Sequence, residues 1–377
     1  MRRILIFSLS YYPRFVGGAE IAIKEVTDRI SPGEYEFHMV TLRFDSALLP
    51  VEKIGNVVVH RIGFSKKNPS IQDLQKFPLH FTKHLFQVLA WLKAEELHRH
   101  YHYQGIWAMM AHSSAIPAGL FKRFHRKVPY LLTLQEGDPP EVIEKLMRVV
   151  FPLFAAGFRS VDALQTISTF LMKWGRRMGV RAYGEVIPNG VATKLFTHTY
   201  TAEEIALTKA SLGKKEGDVF LVTTSRLVHK NGIDTIIRAL PLLPPYFSCI
   251  VYGIGPDEVT VRALSEELGV AHRVHFRGQI EHKDIPRVFS ACDIFIRPSR
   301  SEGMGNSFVE AMAAGLPVIA TQEGGLSDFI FDEKRNPGKE STAFVVGKEA
   351  PQEIADAVQE ILAHPKETKA TLALAKS

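Results

Sequence analysis

Short apolar runs recur along this chain, separated by stretches with helical spacing of apolar residues. HMVTL, GIWAMM and YLLTL mark the first half, and CIVYGIG, VHFRG and DIFIRPS mark the second. Runs of this length bounded by turn residues predict buried strands, and their alternation with helices predicts stacked βα units on parallel sheets. The two halves open alike, each with a strand, a polar or glycine-rich loop and a helix: RILIFSLSYYPRFVGGAEIAIKEVTDRI in the first and DVFLVTTSRLVHKNGIDTIIRAL in the second. Between them, Pro188, Asn189 and Gly190 interrupt the regular pattern. The expected organisation is therefore two Rossmann-like domains, residues 1–190 and 191–377. Within the first, EKIGNVVVHRIGF reads as strands and FPLHFTKHLFQVLAWLKAEELHRHYH as a long helix.

The stretch from Arg297 to Asp328 carries the most chemistry. DIFIRPS reads as a buried strand, which the glycines of EGMGN cannot continue. SFVEAMAAG then reads as a helix stopped at Gly315, with Pro317 beyond it. This order places the loop at the carboxyl end of a parallel strand, where open α/β sheets bind ligands, and turns a helix N-terminus toward an anion such as a diphosphate. Glu302 on the loop and Glu310 on the helix are acceptors for the hydroxyl groups of a polyhydroxylated ligand. Taken alone, either glutamate is also compatible with ordinary surface solvation.

The segment resembles the E-x7-E signature of retaining glycosyltransferases of family four, a GT-B group, and the resemblance extends over nearly the whole chain. It implies GT-B architecture, with two Rossmann-like parallel-sheet domains facing a central cleft, the first binding acceptor and the second binding the nucleotide-sugar donor. Glu302 and the loop Gly303, Met304, Gly305 and Asn306 would then meet the donor sugar, and Glu310 the ribose. Met304, Gly305 and Asn306 depart mildly from the family's usual residues, which bears on the identity of the sugar. Arg226 and Lys230, ahead of Gly232, match the family's basic pattern after the first strand of the second domain. Fixed cations there lower the barrier to departure of a nucleoside diphosphate. Gly17 and Gly18 fall where the family approaches the donor phosphate with backbone N–H groups, and Arg277, Gly278 and Gln279 fall where the base packs. YGIGPDE and TQEGGLSDFI match further family segments, with Asp328 in place of a more usual glutamate.

For proton handling the candidates are His112, Glu136 and Asp138, with Thr166 to Ser168 as a further polar strand end. The resemblance puts His112 at the donor sugar or acceptor, and a structural histidine is the competing reading. Glu136 and Asp138 fall on the acceptor side, where relatives carry a His-containing motif, and neither is assigned as a nucleophile. Retention of configuration follows from the resemblance alone, with front-face displacement as the expected route. The resemblance implies that no metal or other cofactor is bound, and the sequence fits, since the fifteen histidines show no ligand spacing and no Asp-x-Asp motif stands at a strand end.

Composition adds limits. The chain holds 377 residues, enough for two cores, and its two cysteines, Cys249 and Cys292, suggest a reducing compartment without disulfides. MRRILIFSLSYYP begins like a signal peptide, but its apolar run of about six residues is short for one, and it reads as the first strand. No run approaches the ~20 apolar residues that span a bilayer. Residues 1–200 hold 26 Lys and Arg against 16 Asp and Glu, whereas the remainder holds 20 against 24. In GLFKRFHRK and FLMKWGRRMGVRAYG cations interleave with apolar residues. Such a surface suits anionic lipid headgroups or a phosphorylated acceptor, with simple helix solvation as the alternative. No nucleic-acid module accompanies the charge. The C-terminal PKETKATLALAKS lacks the aromatic helix of many relatives.

The reading is a cytoplasmic, peripherally membrane-associated hexosyltransferase that uses a UDP- or GDP-sugar and a glycan or lipid-linked acceptor. A nucleotide-sugar epimerase of the same architecture and a non-catalytic nucleotide-sugar-binding protein are the alternatives.

Overall fold

A computed structural model describes residues 1–14, 16–70 and 72–376. Phe15, in the loop read between the first strand and first helix, lies outside the described residues, as do Ile71 and Ser377. The chain folds as two compact units, Met1–Asn189 and Gly190–Ser377.

The first unit is an eight-stranded sheet of β1 (Arg2–Phe7), β2 (Tyr35–Leu42), β3 (Val51–Ile54), β4 (Val57–Ile62), β5 (Gly105–Met109), β6 (Tyr130–Leu134), β7 (Ala163–Thr166) and β8 (Tyr183–Val186). Its order is β3-β4-β2-β1-β5-β6-β7-β8, parallel throughout except for the β3–β4 hairpin at one edge. The second unit is a six-stranded parallel sheet of β9 (Val219–Thr224), β10 (Phe247–Tyr252), β11 (Val274–Gly278), β12 (Ile294–Arg297), β13 (Val318–Ala320) and β14 (Phe344–Val345). Here the order is β11-β10-β9-β12-β13-β14. Each sheet grows outward in both directions from its first strand, so the order reverses between β1 and β5 and again between β9 and β12. These are the switch points at which loops diverge and leave a crevice for ligands.

Period-two burial explains the second sheet. Leu221, Ile294 and Ile296 join one core with Ile236, Ile237, Ile354 and Val358 of the helices on that side. Their alternates Phe220, Val222 and Phe295 join another core with Phe308, Met312 and Leu326. Both faces are covered, which is why these strands read as nearly continuous apolar runs. Cys249 and Cys292 are buried free thiols within these cores.

In the first unit the long helix Leu79–Tyr101 buries Thr82, Phe86, Ala90, Ala94 and Leu97, a ridge at helical spacing. The helix Phe151–Arg159 lies tightly on Ala111–Phe124. A Cβ on Gly157 would stand 2.3 Å from the Ala115 carbonyl oxygen, and one on Gly119 would stand 2.7 Å from Gly157 Cα.

A histidine pair is buried between β2 and β4. His38 Nδ1 and His60 Nε2 lie 3.1 Å apart, with Tyr101 and Tyr103 against the His38 ring and Glu36 beside it. Burial lowers the proton affinity of both rings, and that of His60, further depressed by His38, falls to about 4. Folding therefore holds both rings neutral. Their contribution to stability is complete above the ordinary value near 6.5 and is lost as pH drops toward 4. Urea unfolding should show a lower midpoint at pH 5 than at pH 7, with a flatter acid limb in His60→Phe. An unchanged acid limb in that variant would contradict the assignment.

Candidate active site

The carboxyl edge of the second sheet gathers the predicted donor residues around its switch point. After β9 the chain runs through Ser225 and Arg226 into a 3-10 turn, His229–Asn231, which carries Lys230, and then into the helix Ile233–Ala239. Arg226 is exposed, and its side chain makes no ion pair among the described residues, while Lys230 is half-buried. Asn231, which is buried, donates its side-chain amide to the Arg226 carbonyl at 2.7 Å and so fixes that turn.

Four loops are pressed together here by the absence of side chains. An added Cβ would stand 2.2 Å from the Pro298 carbonyl oxygen at Gly232, 1.7 Å from that of Ser225 at Gly253, 2.1 Å from that of Leu227 at Gly255 and 2.1 Å from that of Glu302 at Gly324. These are clashes with backbone, which a rotamer change cannot relieve. Arg300 completes the assembly. Its amide donates to the Lys230 carbonyl at 2.6 Å, and its guanidinium donates to the His229 carbonyl, to both oxygens of Asp234 at 2.9 and 2.8 Å and to Glu349 at 2.9 Å. Burial would raise the Asp234 carboxyl, and the bonds from Arg300 outweigh it, holding the group below the usual carboxylate range.

Beyond β12, Gly305 takes φ 80° and starts the helix Asn306–Ala314, which Gly315 ends at φ 82°. Met304 is buried. Glu302 is held on both oxygens: Oε2 accepts from Arg297 Nη2 at 2.6 Å and Oε1 from the Gly303 amide at 3.0 Å. Arg297 is itself buried at the end of β12. It donates to Ser307 Oγ at 2.8 Å and lies 4.3 Å from the centre of the Phe308 ring. Burial lowers its proton affinity, and Glu302 and Glu310 oppose that shift. Glu310 Oε1 meets His282 Nε2 at 2.8 Å.

Buried polar atoms also converge on this edge. Thr224 Oγ1 and Ser225 Oγ at the end of β9, and Arg297 Nε and Ser299 Oγ at the end of β12, make no hydrogen bond among the described residues. Buried polar atoms are nearly always paired, so four such atoms flanking one switch point mark a place built for polar contacts. Gly278 lies at the end of β11 with φ 70°, and its carbonyl accepts from the Gly253 amide at 2.7 Å. Arg277 is turned to the Leu212 carbonyl at 2.8 Å, and Asp328 closes the 3-10 turn Gly324–Asp328.

In the first unit the switch-point loops follow β1 and β5. The Gly17 amide, read as a donor to ligand, is already occupied: Glu20 Oε2 accepts from it at 2.7 Å, and Glu20 Oε1 accepts from Ser10 Oγ at 2.7 Å. Gly18 begins the helix Gly18–Arg29. His112 stands in the first turn of Ala111–Phe124, after Met110, whose φ of 65° is uncommon for a non-glycine residue. Glu136 is fully buried, and its oxygens accept from the His112 amide at 3.3 Å and the Gln135 amide at 3.0 Å, with His112 Nδ1 at 3.8 Å. It thus ties the loop after β6 to the start of the helix Ala111–Phe124 beneath His112, whereas Asp138 on the same loop is exposed. Gln135 and Asn189 exchange side-chain amide hydrogen bonds at 3.1 and 3.2 Å.

Arg297, Arg300, Asn231 and His282 escaped sequence reasoning. Arg297 and Arg300 fall inside the very segment that drew attention, and for Arg297 a charged residue closing an apolar strand was the available signal. For Asn231 and His282 only the fold supplies the partner.

Residues 204–375 match the model of the family described as glycosyl transferases group 1. The chain is 31% identical over 228 residues to a GDP-mannose-dependent alpha-(1-6)-phosphatidylinositol monomannoside mannosyltransferase of Mycobacterium tuberculosis, a match covering 56% of this chain and 57% of that protein. It spans about half the length of the curated relatives it matches. Among solved structures it is similar to a sucrose-phosphate synthase from Thermosynechococcus elongatus, with a TM-score of 0.78 at 21% identity over 100% of this chain and 93% of that one. Anabaena Alr3699/HepE in complex with UDP and glucose is similar at a TM-score of 0.74 and 21% identity, over 100% and 94%.

Proposed function

We propose that this chain, whose residues 204–375 match the model of the glycosyl transferases group 1 family, moves a hexose from a nucleotide sugar to a lipid-linked glycan. Its fold is the GT-B type, with two Rossmann-like parallel-sheet units. One observation carries the reading: Arg226 and Lys230 on one side of the β9–β12 switch point, and Glu302 and the helix bearing Glu310 on the other, share one sheet edge. In this reading the departing diphosphate accumulates charge that Arg226, Lys230 and the N-terminus of Asn306–Ala314 neutralise. Glu302, oriented by Arg297, accepts hydrogen bonds from the sugar hydroxyls, and Glu310, oriented by His282, accepts them from the ribose. His112, fixed from below by Glu136, serves the acceptor side.

The acceptor hydroxyl attacks the anomeric carbon on the face from which the diphosphate leaves, its proton passes to a leaving-group oxygen, and configuration is retained. Fixed cations supply the neutralisation, so the reading needs no metal ion. The mycobacterial relative is named for GDP-mannose and a phosphatidylinositol mannoside, which makes GDP-mannose and a mannolipid the first pair to test, with UDP-glucose beside them. The setting we propose is the cytoplasmic face of a membrane.

Calorimetry against GDP, UDP, ADP and their sugars, followed by NMR of the product anomer, tests the proposal. Transfer with an α product from an α donor, undiminished by EDTA, is the expected result. Conversion of donor without an acceptor product would point to epimerisation, and binding without turnover to a sensor. Glu310→Ala should weaken nucleotide affinity by about tenfold, corresponding to one or two lost charge-assisted hydrogen bonds. Equal affinity in wild type and variant would remove Glu310 from the ribose.

A further inference from the structure

The segment joining β6 to β7 exposes apolar side chains that the transfer reaction does not use. The helix Pro140–Leu146 breaks into a 3-10 turn, Arg148–Val150, before the helix Phe151–Arg159 begins. Around that break Val149 is 90% exposed, Leu146 66%, Val142 57% and Leu153 49%. Buried residues alternate with them, since Ile143, Met147 and Phe154 face the core. The apolar tip is therefore an outward face of ordered helices, and the Gly119–Gly157 contact clamps the second of these to its neighbour.

Charge around the tip is one-sided. The acids of the first helix are engaged: Arg177 reaches Glu144 at 2.7 Å and Glu141 at 3.4 Å, and Trp174 Nε1 donates to Glu144 at 2.9 Å. These bonds bring the basic helix Thr169–Arg177 alongside the tip. Lys145, Arg148 and Lys173 are exposed and form no ion pair among the described residues. Protruding apolar side chains accompanied by exposed cations that form no ion pair among the described residues match the layering of an anionic bilayer, with acyl chains below and acidic headgroups above. A second protein would more often bury its contacts in a hydrophobic core of neutral character.

We infer that the tip Val142–Leu153 inserts into the headgroup region of anionic membranes, with Lys145, Arg148 and Lys173 on the lipid phosphates. This rests on the proposed use of a lipid-linked acceptor for its purpose, but the binding itself needs neither donor nor acceptor. Among the described residues no helix is long and apolar enough to cross a membrane.

Flotation of the full chain with vesicles of phosphatidylcholine, with and without phosphatidylglycerol, tests it directly. Binding is expected only to the anionic vesicles, weakening with added salt as exposed charges are screened. Val149→Asp with Leu146→Asp should lower the bound fraction about tenfold or more, and Lys145→Glu with Arg148→Glu should do the same. Val259→Asp, an equally exposed position in the second unit (76%), should leave it unchanged. All are surface changes, and unaltered unfolding midpoints would confirm folded variants. Full vesicle binding by the Val149/Leu146 variant, or equal binding to neutral vesicles, overturns the inference. A shift from dimer to monomer in that variant by light scattering, with vesicle binding intact, would also overturn it and assign the face to a second copy of the chain. Loss of glycosyl transfer in the wild type would count against the reaction and leave the docking result standing.

Discussion

Lys230→Ala should lower kcat by about two to three orders of magnitude, the range seen when one preorganised stabiliser of developing charge is removed. The unfolding midpoint should stay close to wild type. The reason is local. The Lys230 carbonyl, which accepts from the Arg300 amide at 2.6 Å, and Gly232, seated against Pro298, hold the turn through backbone, and neither contact involves the lysine side chain. Arg226→Ala should behave similarly, since Asn231 grips the Arg226 carbonyl and leaves its guanidinium exposed. Because the proposed interaction grows as the diphosphate departs, the loss should fall on kcat more than on donor affinity. Steady-state rates at saturating donor, alongside calorimetric affinities, separate the two. Wild-type turnover in both variants would sink the leaving-group assignment.

Arg297→Met should cost the second unit about 3–5 kcal/mol, the penalty for leaving a buried charge without its partner. Glu302 would keep its bond from the Gly303 amide and lose the 2.6 Å pairing that neutralises it. The double variant Arg297→Met with Glu302→Gln should recover much of that stability, since it removes both charges. Arg297→Lys offers the sharper test of function. It keeps a cation but not the planar fork that reaches Glu302 and Ser307 at once. Donor affinity should fall in that variant even where denaturant unfolding shows a stable unit. Wild-type donor affinity there would mean that Arg297 only holds the core together.

Much of the architecture was legible because burial on both faces imprints a plain signal. DIFIRPS, YLLTL and GIWAMM became β12, β6 and β5, and SFVEAMAAG became a helix ended by Gly315. Strand ends were equally readable, so Arg226, Lys230 and Glu302 could be set on segments after strands, and His112 just beyond another. Pairwise chemistry was less legible. Nothing local distinguishes His282 from the other histidines until Glu310 is placed beside it, and Arg300 gains its meaning from Asp234, 66 positions earlier, and Glu349, 49 later. Gly17 shows the opposite failure. Its neighbourhood suggested an outward amide, but Glu20, only three residues on, takes that hydrogen itself. A glutamate at the third position of a helix is a known partner for the residue before its start, and that local rule outweighed the motif-level one.

The four glycines that let the strand-end loops meet reverse the meaning of a common experiment. An alanine scan is usually a subtraction, in which a side chain is trimmed and whatever disappears is credited to it. At Gly232, Gly253, Gly255 and Gly324 the same scan is an insertion, driving a methyl group into a carbonyl 1.7 to 2.2 Å away. These positions would rank among its strongest hits without any of them contacting a substrate through a side chain. A functional map of this edge drawn from alanine data would thus place its hot spots on residues whose contribution is empty space, and would need the distances between loops to be read correctly.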